Sequence, residues 1–389
     1  MISEEKLRAY AKEQYDWAVA VRRELHRVPE PGFQEHKTRK IITEKLKEIG
    51  CEYKEENGWI TAFIPGGKDG PITALRADFD ALPVTEPMGC AFRSEHEGWM
   101  HACGHDMHTA IMLAAGRLLM GIRSELCGGV KLLFQPAEES IGGAKPMTEG
   151  GVMDNPHVDR VYGLHVMPRL FTGEVETRPG TLNAGTDSVK IEVSGTSSHG
   201  AYPENGVDAI VCAAGLISAL QTLVSRNVSP LDSAVLTLGV IEGGRASNII
   251  CDKVTMKGTL RTANPALREM MIRRIQETAE GVGRAYGCEI HAQVSEGYAS
   301  LVNVPAHAKR VLDIAGNFFG EDKALVKDAP SMGGEDFSYF LDRAPGAFFH
   351  IGCSKGFKPG APLHSENFDP DEKCMEIGIL MEAALAILP

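Results

Sequence analysis

Apolar runs that alternate with helical patterns and end in acidic or imidazole side chains constrain this chain more than any bulk property. Trp59 to Ile64 and Ile72 to Leu75 read as strands, and the second ends in Arg76-Ala77-Asp78-Phe79-Asp80-Ala81-Leu82-Pro83. Val130 to Phe134 ends in Gln135-Pro136-Ala137-Glu138-Glu139, and Val161 to Leu164 ends in His165. Helical spacing runs from Glu4 to Leu25 (Leu7, Tyr10, Ala11, Tyr15, Ala18, Val21), with Pro29 and Pro31 behind it. A second amphipathic stretch, through Ile41, Ile42, Leu46 and Ile49, stops at Gly50. Open α/β sheets bind their ligands outside the carboxyl ends of the strands. Chance would scatter Asp, Glu and His along the strands, so three successive strands finishing in them point to one shared site.

Met100 to Thr109 supplies more of that site. It places His101, Cys103, His105, Asp106 and His108 in eight positions, and the apolar helical run Ala110 to Ala115 follows. Gly104 lets the backbone bend so that Cys103 and His105 can face one centre. Imidazole and thiolate suit zinc, and imidazole and carboxylate also suit manganese. The positive end of the helix dipole is expected to help keep the Cys103 thiol ionised. His364 adds an imidazole from a loop. Cys103, His105, Glu139, His165 and His364 are too many for one tetrahedral ion but suit two ions about 3.5–4 Å apart sharing a water. Glu138 and Glu139 point in different directions at a strand end, so one can bind metal while the other handles a proton.

A chain of 389 residues exceeds one ordinary core. Between about Gly185 and Tyr298 the order is strand (188–193), helix (207–224), strand (234–240), strand (253–260), helix (265–286), strand (289–294). This β-α-β-β-α-β order is that of a ferredoxin-like sandwich inserted into the first pattern. From Val304 the α/β alternation resumes, with a strand at Phe348 to Ile351 and a closing helix from Asp371 to Leu388. The expected fold is therefore α/β. A catalytic domain (1–185 and 299–389) with a mixed central sheet flanked by helices carries an inserted ferredoxin-like domain (186–298). The net charge of −12 argues against a nucleic-acid partner. Nine cysteines without framework spacing suit a reducing compartment. No signal segment opens the chain, and no apolar run reads as membrane-spanning, so the expectation is a cytoplasmic protein with no membrane partner. His96, His157, His291 and His307 read as surface histidines.

These motifs together resemble the M20 group of metal-dependent amidohydrolases and carboxypeptidases, in its branch acting on N-acyl amino acids. That branch includes aminoacylases, hippurate hydrolase and N-acetyldiaminopimelate deacetylase. The resemblance runs through Arg76 to Pro83, His101 to Asp106, Gln135 to Glu139, Gly163-Leu164-His165 and Ser198 to Pro203. It continues in Gly243 to Ile250, Gly258 to Arg261, Gly333 to Phe337 and Leu363-His364-Ser365. It implies ligation of two divalent ions (zinc or manganese, with cobalt or nickel as further candidates) by Cys103, His105, Glu139, His165 and His364. It makes Glu138 the general base and puts Asp78 and Asp80 close to the ligands. His199, as an oxyanion-stabilising catalytic group, and Asn248 and Arg261, as substrate-binding groups, fall in the inserted lid. His108 is assigned a packing or supporting role, because the family pattern does not use it. The implied activity is hydrolysis of an N-acyl-L-amino acid to a carboxylic acid and a free amino acid, by a homodimer or higher homo-oligomer joined through the lid. The alternatives are an N-acetyldiaminopimelate deacetylase, a carboxypeptidase of short dipeptides or aminobenzoyl-glutamate, or a catalytically silent binding homologue.

Overall fold

The structure is a computed structural model that describes residues 2–356 and 359–388. It divides into two compact units. One comprises Met1–Leu182, Val302–Ala329 and Asp336–Pro389, the other Asn183–Leu301 with Pro330–Glu335. The short segment 330–335, which the sequence reading leaves outside the insertion, is drawn to the inserted unit by backbone pairing. The Ala184 N–H donates to the Ser331 carbonyl at 2.8 Å, and the Asn183 amide donates to the Gly333 carbonyl at 3.2 Å.

In the first unit, helices α1 (Glu4–His26) and α2 (His36–Ile49) precede strands β1 (Glu52–Glu56), β2 (Trp59–Pro65) and β3 (Lys68–Asp78). Helix α3 (His105–Gly121) leads to β4 (Cys127–Gln135), β5 (Arg160–Phe171) and β6 (Val175–Thr177). With the strands Ala324–Val326 and Gly346–Ser354 they form an eight-stranded sheet among the described residues, ordered β1, β2, β4, β3, β5, Gly346–Ser354, β6, Ala324–Val326. β3 runs parallel to both β4 and β5, and β2 pairs antiparallel to β4. Ser3 caps α1 through the Lys6 N–H, and Leu7, Ala11, Ala18, Val21 and Leu25 form its buried stripe. Gly50 ends α2 at φ 74°, where a side chain would strain the backbone. α1, α3 and the closing helix Cys374–Ile387 pack together over a core that includes Leu25, Ile111, Leu118 and Ile379.

One reading of this unit changes, and one strand that the sequence pattern does not show is added. β5 does not end at His165 but runs to Phe171. Pro168 signals a break in the sequence, yet here it lies where the pairing with Gly346–Ser354 shifts register, a position that does not require its missing N–H. β1 is a strand although Glu52, Lys54, Glu55 and Glu56 give it no apolar pattern, because its partner β2 supplies the buried face.

The inserted unit is an antiparallel four-stranded sheet, ordered Glu289–Glu296, Gly185–Ser194, Lys253–Thr262, Ala234–Gly243. Val189, Ile191 and Val193 alternate inward against Cys212 and Leu216 of the helix Ala209–Thr222 and Met271 and Ile275 of the helix Pro265–Tyr286. The segment Ala209–Asn227 corrects the expectation about apolar runs, since by length and composition alone it could cross a membrane. Its buried side chains (Ala209, Cys212, Ala213, Leu216, Leu220, Leu223) belong to the core of this unit.

Candidate metal centre and active site

The first unit brings together all five expected ligands. Cys103 Sγ lies 3.3 Å from His165 Nε2 and 3.4 Å from His364 Nε2. His364 Nε2 is 3.0 Å from Glu139 Oε1, and His105 Nε2 is 3.8 Å from the same oxygen. One donor atom each from Cys103, His105 and His165 lies within 4.8 Å of the others, and the same holds for Cys103, Glu139 and His364. Cys103 thus belongs to both triples.

Each ligand is aimed by a specific local feature. Asp80 lies just past the end of β3, and its Oδ1 is 3.2 Å from His105 Nδ1. That contact holds the imidazole in the tautomer whose Nε2 is free to coordinate. The Asp80 oxygens also accept the N–H groups of Glu138 and Glu139, both at 3.0 Å, so one carboxylate orients three members of the cluster. His165 Nδ1 donates to the Val166 carbonyl at 2.6 Å, which turns its Nε2 towards Cys103. His364 sits in a left-handed backbone conformation (φ 63°) with its N–H on the Ala102 carbonyl at 2.9 Å.

His108 has both ring nitrogens occupied by protein partners. Its Nδ1 is 2.6 Å from Asp78 Oδ1 and its Nε2 accepts the Val166 N–H at 2.9 Å. Asp78 Oδ2 accepts from the fully buried Arg76 guanidinium at 2.7 Å, and Arg76 also donates to Gln135 Oε1 at 2.7 Å and Asp336 Oδ1 at 2.9 Å. This buried network ties the ends of β3 and β4 to Asp336. Burial raises the Asp78 carboxyl, but Arg76, His105 and His108 outweigh it and hold the group well below the usual carboxylate range.

Two residues of this region face elsewhere or come from outside the motifs. Asp106 points away from the cluster, with Oδ2 at 2.9 Å from Arg22 Nε and 2.8 Å from His26 Nδ1. Glu35, which no motif announces, accepts the Ala137 N–H at 3.1 Å. Ala137 has φ 59°, a strained value for a residue with a side chain, and it directly precedes Glu138 and Glu139. Only the folded chain reveals this role, because Glu35 lies some hundred residues away.

The cluster fits divalent metal. His105 Nε2 is buried without a hydrogen-bond partner, and its neighbours Asp78 Oδ2 and Glu139 Oε1 stand 3.7 and 3.8 Å away, too far for a hydrogen bond. That spacing suits groups converging on an ion. The expectation of an ionised Cys103 thiol fails without one: burial first, then the Glu139 carboxylate, pushes the thiol well above its ordinary value. Coordination is what would ionise it.

The inserted unit holds the other three candidates. His199 and Asn248 lie together: His199 bridges to Ile249, and the Gly200 N–H donates to the Asn248 carbonyl at 2.8 Å. The His199 ring accepts the Ala201 N–H on Nδ1 at 3.0 Å. Arg261 is not beside them. It pairs with Thr186 near one end of the strand Lys253–Thr262, whereas Lys253, pairing with Ser194, marks the end nearer Asn248. Eight residues of strand separate Lys253 from Arg261, roughly 26 Å. His307, read from sequence as a surface residue, is instead half-buried with Nδ1 2.7 Å from the Tyr162 hydroxyl.

The sequence profile of peptidase family M20/M25/M40 matches residues 74–387. The chain belongs to this family. It is 37 % identical over 391 residues to thermostable carboxypeptidase 2 of Saccharolobus solfataricus, covering 98 % of each chain. It is 41 % identical over 336 residues to the N-acetyl-L-cysteine deacetylase of Bacillus subtilis, covering 86 % of this chain and 80 % of that one. A solved structure from Bacillus subtilis, a dinuclear metal-binding peptidase of the M20 family, superposes with a TM-score of 0.85 at 32 % identity, covering 96 % of this chain and 98 % of that one. The chain is an amide hydrolase of the M20 family, and its metal-ligand cluster lies in the first unit, within the matched region.

Proposed function

We propose that this M20 hydrolase cleaves the amide bond of N-acyl-L-amino acids with two divalent ions, zinc or manganese, held by Cys103, His105, Glu139, His165 and His364. The observation that carries the reading is the Glu138–Glu139 pair: Glu139 groups with Cys103 and His364, both carboxylates group with His105, and both backbones hang on Asp80. Divalent ions held there would acidify a water and polarise the amide carbonyl. Glu138, about nine-tenths buried at the rim of the cluster, takes the proton of the attacking water and passes it to the leaving nitrogen. His199 is assigned to the oxyanion, and Asn248 and Arg261 to the substrate carboxylate, as two separate contacts, since Asn248 precedes the start of the strand Lys253–Thr262 and Arg261 lies near its other end. A catalytically silent homologue would have no use for Glu138 beside the ligands.

The inserted unit also supports a homodimer. The edge strand Ala234–Gly243 carries exposed Val235, Val240 and Ile241, and Ile210 and Val211 at the head of the neighbouring helix are exposed as well. Such an edge invites pairing with a second copy. Sedimentation equilibrium giving the mass of one chain would refute it. The nine free thiols support a reducing, cytoplasmic setting.

The rival reading is carboxypeptidase action on short peptides, favoured by the Saccharolobus relative. A substrate panel separates them: N-acetyl and N-benzoyl amino acids, their carboxamides, and dipeptides, each with Mn²⁺ or Zn²⁺ added. The expected result is that N-acyl amino acids exceed dipeptides and carboxamides in kcat/KM. Arg261→Ala and Asn248→Ala should each cost the acid substrate about 1.5–3 kcal/mol of transition-state binding while metal content holds. Faster cleavage of dipeptides would favour the rival, and an unchanged acid-over-amide preference in both variants would place the carboxylate grip elsewhere.

A further inference from the structure

A second set of ligand-type side chains lies in the first unit outside the cluster described above. His26 closes α1, and Glu86 and Cys90 stand on the irregular segment after Pro83. His26 Nε2 is 3.1 Å from Glu86 Oε1, and one donor atom from each of His26, Glu86 and Cys90 lies within 4.8 Å of the other two. His26 and Glu86 are buried and Cys90 is half-buried.

The group is held in place by its surroundings. The second ring nitrogen of His26 lies 2.8 Å from Asp106 Oδ2, the carboxylate-on-imidazole contact that leaves Nε2 for an ion. Glu86 Oε2 accepts the Ser94 N–H at 2.7 Å, and the Arg93 guanidinium donates to the Glu86 carbonyl at 3.0 Å. Both contacts fix the loop while Oε1 faces His26. The nearby Arg22 guanidinium carries a positive charge that opposes a cation, and the Asp106 and Glu372 carboxylates, to which its Nε and Nη1 donate at 2.9 Å each, offset part of it. A cavity of about 430 Å³, lined by Glu86, Cys90, Phe92 and Phe368 among others, opens on the group.

We propose that His26, Glu86 and Cys90 form a further metal site, for a zinc-class ion, with the remaining coordination position facing this cavity. Zinc bonds of about 2.0–2.3 Å at tetrahedral angles put ligand atoms roughly 3.3–3.8 Å apart, so the His26–Glu86 spacing is close to that of a formed site. Imidazole, carboxylate and thiolate together match zinc better than magnesium or calcium. The ion would tie the end of α1 to the segment 86–94. Through Asp106 it would also brace the head of α3, where His105 begins. It is separate from the proposed dinuclear centre, with which it shares no ligand. An ion pair between His26 and the two carboxylates would account for the imidazole and Glu86 without any metal. The Cys90 thiol also interacts with Glu86 in that arrangement, but only a bound ion would require it as a thiolate, so Cys90 decides between the two.

The test is zinc content per chain, by elemental analysis at buffered free Zn²⁺, for wild type, Cys90→Ser and Cys90→Ala. Wild type is expected to hold one equivalent more than either variant, with amide hydrolysis unchanged because Cys90 lies outside the catalytic cluster. Equal zinc content in all three over the whole titration overturns the site. A readout on wild type alone guards against a variant that fails to fold. Alkylation of Cys90, followed by mass spectrometry, should be blocked by Zn²⁺ and not by Mg²⁺. Equal labelling with either ion also overturns it.

Discussion

Asp80 and Glu35 show how little of a catalytic site needs to be ligand. Asp80 aims His105 and holds the N–H groups of both glutamates, while Glu35 steadies the strained Ala137 in front of them. The two glutamates then differ in what their loss should cost. Glu138→Gln is expected to keep the metals and lose at least about 10²-fold in kcat, the scale of an acid–base group. Glu139→Gln should instead lose metal, and elemental analysis beside steady-state rates tells the two apart. Glu35 gives a pH signature. Burial first, with the Asp80 charge adding to it, raises its carboxyl from 4.5 to about 7. Below pH 4.5 the folded and unfolded chains both carry the proton, and this contribution to stability is complete. Between 4.5 and 7 the unfolded chain releases the proton first, so the contribution is lost as pH rises through that window. Glu35→Gln stays neutral, and in chelator-treated protein its stability should exceed wild type by about 1–3 kcal/mol more at pH 8 than at pH 4.5. Denaturant titrations at the two pH values measure this, and parallel profiles would remove Glu35 from the account. The candidate ligands were legible in the sequence because Glu139 follows a strand, Cys103 and His105 share one turn, His165 follows an apolar run, and His364 lies in a family motif. Glu35 was not, because its contact depends on a tertiary approach with no local pattern.

At the level of elements, the turn into α3 matters most. Gly104 adopts φ 84°, and a Cβ there would stand 2.4 Å from Val166 Cγ2. The left-handed conformation alone costs an ordinary residue about 1–2 kcal/mol. Relief of the clash would move Val166, whose N–H is held by His108 and whose carbonyl is held by the ligand His165. Gly104→Ala is therefore expected to keep its secondary structure and lose at least about tenfold in metal affinity, read by competition with a chromophoric chelator. Unchanged affinity would mean that the turn tolerates a side chain. The helices and most strands followed from periodicity, as the helix Pro265–Tyr286 shows. β1 and the far half of β5 did not, because a polar edge strand and an internal proline carry the wrong local signals and only sheet pairing overrides them.

For the whole molecule, the α/β frame supplies the candidate ligands from just past the end of β4, from the head of α3 and the turn before it, from within β5, and from the loop before the closing helix. A chain with this arrangement needs its metals for amide hydrolysis. That dependence was readable from the sequence because the ligand types recur at successive strands. The opposite placement of Asn248 and Arg261 was not, since the register of the inserted sheet is set by pairing. The most direct measurement is hydrolysis of an N-acyl amino acid by chelator-treated protein as Mn²⁺ or Zn²⁺ is added back, with bound metal counted at each point. No activity is expected without metal, with recovery as the cluster fills and no recovery in Glu138→Gln at the same metal content. Full activity in protein shown to be metal-free would contradict that dependence.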